Sequence, residues 1–114
     1  VCAPPAAGVP PVIVGDNFER SAPRWLSELA CGAARDAGYG ARRNDPFAGG
    51  HIVARHGRPG AGVHALQIEL DRAAYLDPSL TAPGPGFDGA ARLLDTLAMT
   101  LGSALIDRTA IAAE

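Results

Sequence analysis

The sequence predicts an α/β fold, on three observations. A β-branched run at Val12–Val14 precedes apolar residues at helical spacing over Ser21–Ala37. A second run, Val63–Leu70, is apolar on both faces, as a strand buried between helices is. From Asp88 onward, Ala91, Leu94, Ala98, Leu101 and Leu105 recur at i+3 and i+4. Strand, helix and strand in succession are the signature of α/β packing.

Residues 1–11, VCAPPAAGVPP, are too rich in Pro and Gly to hold a helix and read as a loop entered from upstream. With Val at position 1, the chain is expected to be a fragment or one half of a longer protein. Val12–Val14 is a short strand that stops at the loop sequence Gly15-Asp16-Asn17. Trp25, Leu26, Leu29, Ala30, Ala33 and Ala37 then mark an amphipathic helix, with Ser21 as N-cap and Gly38 as its stop. Tyr39–Arg43 reads as a strand ended by Asn44-Asp45-Pro46, since proline has no N–H to give. His51–Gly57 is a short helix or turn, and Gly49-Gly50 before it either turns the chain or lets backbone approach a ligand. Val63–Leu70 is the expected central strand, Tyr75–Gly86 an irregular loop, and the last element a long helix capped at or near Asp88.

Composition narrows the function. At 114 residues and 47% hydrophobic, residues 1–114 form a single domain or a part of one. The net charge is -2 and the ten cations, all arginine, are scattered, which argues against nucleic acid as a partner. Cys2 and Cys31 have no metal or redox spacing and are too sparse for a disulfide scaffold, so a reducing, cytoplasmic location is expected. No uninterrupted apolar run reaches the roughly 20 residues of a membrane helix, so no membrane partner is expected.

The chemistry concentrates in Asn44–Glu69. Side chains alternate along a strand, placing Val63, Ala65, Gln67 and Glu69 on one face and His64, Leu66, Ile68 and Leu70 on the other. Glu69 lies toward the carboxyl end of its strand, where ligand crevices form in open α/β sheets, with Gln67 one layer deeper. Partial burial would make Glu69 a general base or acid; alternatively it is a structural carboxylate paired with Arg72 or Arg58. His64 is expected in the core, satisfied by a backbone carbonyl. Arg43, Asn44 and Arg58 are candidates for gripping an anionic substrate, whereas Arg42 reads as a solvated surface group. Asp16 and Asn17 either orient substrate or form an Asx-turn. His51 and His56 are five apart, which fits no helical metal pair, so no metal ligand is assigned within the chain.

Taken together, GDNFERSAP at Gly15–Pro23, RNDPFAGGHI at Arg43–Ile52 and HGRPGAGVHALQIELDRAAYLD at His56–Asp77 resemble the N-formylglutamate amidohydrolases in order and spacing. The resemblance covers about Val12 to Asp77 and implies the carboxyl-terminal part of such an enzyme. It further implies a three-layer α/β sandwich with a mixed sheet, distantly similar to the zinc carboxypeptidases. The implied reaction is hydrolysis of N-formyl-L-glutamate to glutamate and formate in histidine degradation. By the same resemblance Glu69 would shuttle a proton from a zinc-bound water to the leaving amine, and Arg43, Asn44, Arg58 and Gln67 would bind substrate. The family's zinc-binding segments would lie upstream of Val1, leaving an incomplete site here. Two alternatives remain: a related amidohydrolase acting on another N-acyl amino acid or peptide, and a non-catalytic truncated homologue serving as an interaction piece. A sheet lacking strands would also expose edges and favour self-association.

Overall fold

The computed structural model describes residues 8–113, with side chains through residue 108. Residues 1–7, including Cys2 and most of the expected entry loop, lie outside the described residues. Strand β1 (Val12–Gly15) leads into helix α1 (Arg24–Asp36), strand β2 (Ala41–Arg43), helix α2 (His51–His56), strand β3 (Gln67–Leu70) and helix α3 (Phe87–Ala113). The strands form one mixed sheet in the order β2-β1-β3, with β1 parallel to β2 and antiparallel to β3. The fold is α/β, as expected, with β1 rather than β3 in the centre of the described sheet.

β1 is central because all four of its residues are buried, and its β-branched side chains serve both faces. Val12 and Val14 point into a core shared with Ala30, Cys31 and Ala34 of α1 and Leu93 and Leu97 of α3. Ile68 and Leu70, paired with Val14 and Val12, extend that core, so the alternation expected for this strand holds from Gln67 to Leu70. The strand is shorter than expected. Residues 63–66 leave the ladder because Val63 bridges back to Arg58 and the Ala65 N–H donates to the Ser21 carbonyl at 2.9 Å. His64 is half-buried and its Nδ1 has no protein partner, so the expected carbonyl contact is not made there.

Helix α1 begins at Arg24 after Pro23, which makes no side-chain cap; Ser21, the expected N-cap, is buried with its Oγ unpartnered. The helix ends as expected. Gly38 takes a φ of 93°, its N–H donates to the Arg35 carbonyl at 2.9 Å, and the Tyr39 N–H reaches back to Ala34 at 2.9 Å. These are the paired bonds of a Schellman stop, which requires the left-handed residue that glycine adopts without strain.

Helix α3 begins at Phe87, so Asp88 sits in the first turn instead of capping it, where its charge still suits the helix dipole. Ala90, Leu93 and Leu97 bury one flank, a residue before the expected Ala91, Leu94 and Ala98, which are exposed. Phe87–Arg108 is long and apolar enough to cross a membrane by length and composition alone, with a mean hydropathy of 1.2 and 17% burial over an 18-residue window. Reading uninterrupted runs missed this segment because Arg92, Asp95 and Asp107 punctuate it. Leu93 and Leu97 join the core formed with α1 and β1, while Leu94, Met99 and Ile106 stay exposed.

Candidate active site

At the carboxyl end of β1 the chain turns sharply around Asp16. Asn17, Phe18 and Glu19 all have φ between 53° and 67°, a left-handed turn that costs non-glycine residues energy and needs an anchor. The anchor is the fully buried Asp16 carboxylate. Its Oδ1 accepts from the Glu19 N–H at 2.9 Å and from Asn44 Nδ2 at 2.7 Å. Its Oδ2 accepts from Ser27 Oγ at 2.6 Å and from the Arg43 guanidinium at 2.7 Å. Burial by itself would push this carboxyl up, but the hydrogen bonds from Ser27, Arg43, the Glu19 backbone and Asn44 outweigh it and hold the pKa down at about 2.

This network commits two residues expected at the substrate. Arg43 donates to Asp16 and, through Nε, to Ser27 Oγ at 2.8 Å. Asn44, at a φ of 59°, donates to Asp16 through Nδ2 and accepts the Asp16 N–H at Oδ1 at 2.9 Å. Arg43 pairs with Val14 and so lies on the helix-covered face of the sheet, whereas Glu69 pairs with Ile13 on the opposite face. The structure therefore does not bring Arg43 together with Glu69. Arg58 is exposed at the turn it forms with Val63, and Arg42 is an exposed group held by Asp45 at 3.2 Å.

Glu69 and Gln67 do meet. Gln67 Nε2 donates to Glu69 Oε1 at 2.8 Å, and Gln67 Oε1 accepts the Gly50 N–H at 3.0 Å. Three segments of the resemblance thus converge. The Ala48–Gly50 backbone passes close to β1, where the Asn17 N–H donates to the Ala48 carbonyl at 2.8 Å and a Cβ on Gly15 would stand 2.5 Å from that carbonyl oxygen. Gly49, at a φ of 122°, makes the turn, and Gly50 then reaches Gln67.

Two expectations about Glu69 are corrected. It is exposed, so the partial burial expected of it is not found in this chain. Nor does it sit at the crevice end of the sheet: β3 runs antiparallel, so Gln67 borders the carboxyl ends of β1 and β2 while Glu69 lies farther along, opposite Ile13. Among the described residues no ion pair joins Glu69 to Arg58.

Sequence reasoning did not single out Ser27, which looks like any small residue on a helix, or the Gly50 N–H, which has no side-chain signature. Among the described residues no three His, Cys, Asp or Glu side chains converge to hold a metal ion. Asp16 is committed to its network, and His51 and His56 are exposed on α2. The described residues by themselves do not fit a zinc site.

The family model for N-formylglutamate amidohydrolase matches residues 3–76. The chain is 44% identical over 50 residues to an N-formylglutamate deformylase of Pseudomonas aeruginosa, covering 44% of this chain and 18% of that protein. It is 38% identical over 53 residues to the N-formylglutamate deformylase of Pseudomonas putida, covering 46% of this chain and 20% of that one. The crystal structure of N-formylglutamate amidohydrolase from Ralstonia eutropha JMP134 superposes with a TM-score of 0.69 at 28% identity, over 85% of this chain and 34% of that one. The chain thus spans about a third of the solved relative and less of the curated ones. With the family model covering the segments that build the Asp16 network and the Gly50–Gln67–Glu69 contact, the chain belongs to the N-formylglutamate amidohydrolase family.

Proposed function

We propose that this chain contributes the carboxyl-terminal part of an enzyme that hydrolyses N-formyl-L-glutamate to glutamate and formate, a step of histidine degradation in the cytoplasm. The observation that carries the reading is the convergence of the two family segments, NDPFAGG and QIE, through the Gly50–Gln67–Glu69 contacts. Glu69 is the catalytic residue. Its exposed carboxylate takes a proton from the attacking water and returns it to the amine of the departing glutamate. Arg58, exposed and outside the Asp16 network, is the guanidinium available to grip a substrate carboxylate by paired hydrogen bonds. Arg43 and Asn44 shape the site from beneath, by holding the turn through which Ala48–Gly50 passes.

Zinc dependence, with every ligand supplied from outside these 114 residues, belongs to the same proposal. So does completion of the mixed sheet into a carboxypeptidase-like three-layer sandwich, since β3 has a partner on only one edge among the described residues. The test is a panel of N-formyl and N-acetyl amino acids and short formyl peptides offered to the full-length gene product, with and without prior chelation. N-formylglutamate is expected to be turned over fastest, with activity lost on chelation. A faster N-acetyl or peptide substrate would move the enzyme to another acyl group, undiminished turnover after metal removal would contradict zinc, and inertness toward the whole panel would leave a scaffold role.

Self-association of the isolated 114-residue chain is a further expectation. A groove of about 360 Å³ opens between β3 and α3, lined by Ile68, Leu70, Tyr75, Phe87, Ala90 and Leu94. Exposed Met99 and Ile106 continue the apolar surface along α3. An open strand edge beside such a surface favours association. Size-exclusion chromatography should show elution that shifts with concentration; a monomeric peak at all concentrations would contradict it.

A further inference from the structure

We infer that Gln67 is a positioning residue, which sets the Glu69 carboxylate in register with the Gly49-Gly50 backbone by bonding to both. The inference rests on the proposed role of Glu69 as proton acceptor. Gln67 is suited to this task in a way few residues are, because its amide offers an acceptor and a donor at the end of one side chain. Oε1 takes the Gly50 N–H at 3.0 Å and Nε2 gives to Glu69 Oε1 at 2.8 Å. Both ends of the amide are therefore used within the site, and the identity of the amide, not only its size, is specified. Parity explains why residue 67 can do this: it shares a sheet face with residue 69, and its pairing with Gly15 puts it at the strand end where Ala48–Gly50 passes.

The mechanical consequence follows from exposure. Glu69 is not packed in place, so its carboxylate would sample several rotamers without a tether. Gln67 supplies the tether, and the Gly50 N–H fixes Gln67 in turn. Placement of a reacting group is worth large factors in rate, whereas loss of one exposed side-chain contact costs little stability. Gln67 should thus act on turnover much more than on folding or on substrate affinity.

Two substitutions divide the two contacts. Gln67→Leu removes both, while Gln67→Glu keeps an acceptor for Gly50 and loses the donor to Glu69. In the full-length gene product, Gln67→Leu is expected to lower kcat about 10- to 100-fold with KM little changed, and to speed exchange of the Gly50 amide hydrogen. Gln67→Glu is expected to keep Gly50 protected and still lose turnover. Unaltered Gly50 exchange in Gln67→Leu would overturn the inference whatever the activity. Wild-type turnover in both variants, in an enzyme disabled by Glu69→Gln, would overturn it while leaving the proposed function intact. An inactive wild-type protein would overturn the function itself, and with it any part for Gln67 in catalysis.

Discussion

Replacing Glu69 by Gln is expected to lower hydrolysis of N-formylglutamate by about 10²- to 10⁴-fold, the range that a positioned acid or base contributes. The amide keeps the size of the side chain and can still accept from Gln67 Nε2, so the geometry around it persists. What disappears is the capacity to hold a proton between the attack of water and the departure of the amine. Because Glu69 is exposed, the melting temperature should barely move. Steady-state kinetics and a thermal melt on the same preparation separate the two quantities. Turnover that survives the substitution would remove Glu69 from the mechanism.

The largest effect on stability is expected at Asp16. Asp16→Ala leaves the Arg43 guanidinium, whose side chain is only 20% exposed, facing a buried site with no counter-charge, and it strands the Asn44 Nδ2 and Glu19 N–H donors. Breaking a buried pair by removing one partner costs about 3–5 kcal/mol, which should appear as a lower midpoint in urea denaturation. The left-handed turn at Asn17–Glu19 loses its anchor in the same variant, and the Ala48–Gly50 backbone loses the support that turn gives it.

The pH dependence follows from the same carboxylate. Its pKa in the folded protein, about 2, lies below the ordinary value of 3.8. The folded state therefore favours the ionised form, and the resulting stability is fully present above about pH 4 and lost as pH falls toward 2. That difference corresponds to roughly 2 kcal/mol. Asp16→Asn cannot titrate, so its stability should be lower at neutral pH and fall less steeply between pH 5 and pH 2. Parallel acid profiles for the two proteins would show that Asp16 does not carry this dependence.

How much of this was legible in the sequence depended on whether local pattern or distant pairing set the outcome. The end of α1 was legible because a glycine after a helical repeat has one common meaning, and Gly38 takes the φ that meaning requires. Its start was not, because Pro23 precedes the helix without a side-chain cap and the Ser21 carbonyl accepts from the Ala65 N–H. The alternation that set Glu69 and Gln67 apart from Ile68 and Leu70 was legible, since parity is a property of the strand alone. Strand direction was not. Antiparallel pairing of β3 with β1 is a long-range choice, and it moved Glu69 away from the end of the sheet where a parallel strand would have put it.

The same distinction explains the site. Arg43 and Asn44 looked like substrate ligands because they stand at a strand end in a recognisable motif. Their side chains turn instead to Asp16, 27 and 28 residues earlier in the chain, a pairing no local pattern announces. Asp16 was recognisable only as one member of a loop, and its burial followed from the approach of β2 and α1. The contact that best supports the proposed chemistry joins a backbone N–H to two side chains across 17 residues, and only the folded chain displays it.

The most direct measurement of the central claim is formate release from N-formyl-L-glutamate by the full-length gene product, followed by NMR beside its Glu69→Gln variant. Formate and glutamate appearing in equal amounts with the wild-type enzyme, and almost none with the variant, is the result that Glu69 catalysis of deformylation predicts. Equal release by both proteins, or release by neither, would contradict it.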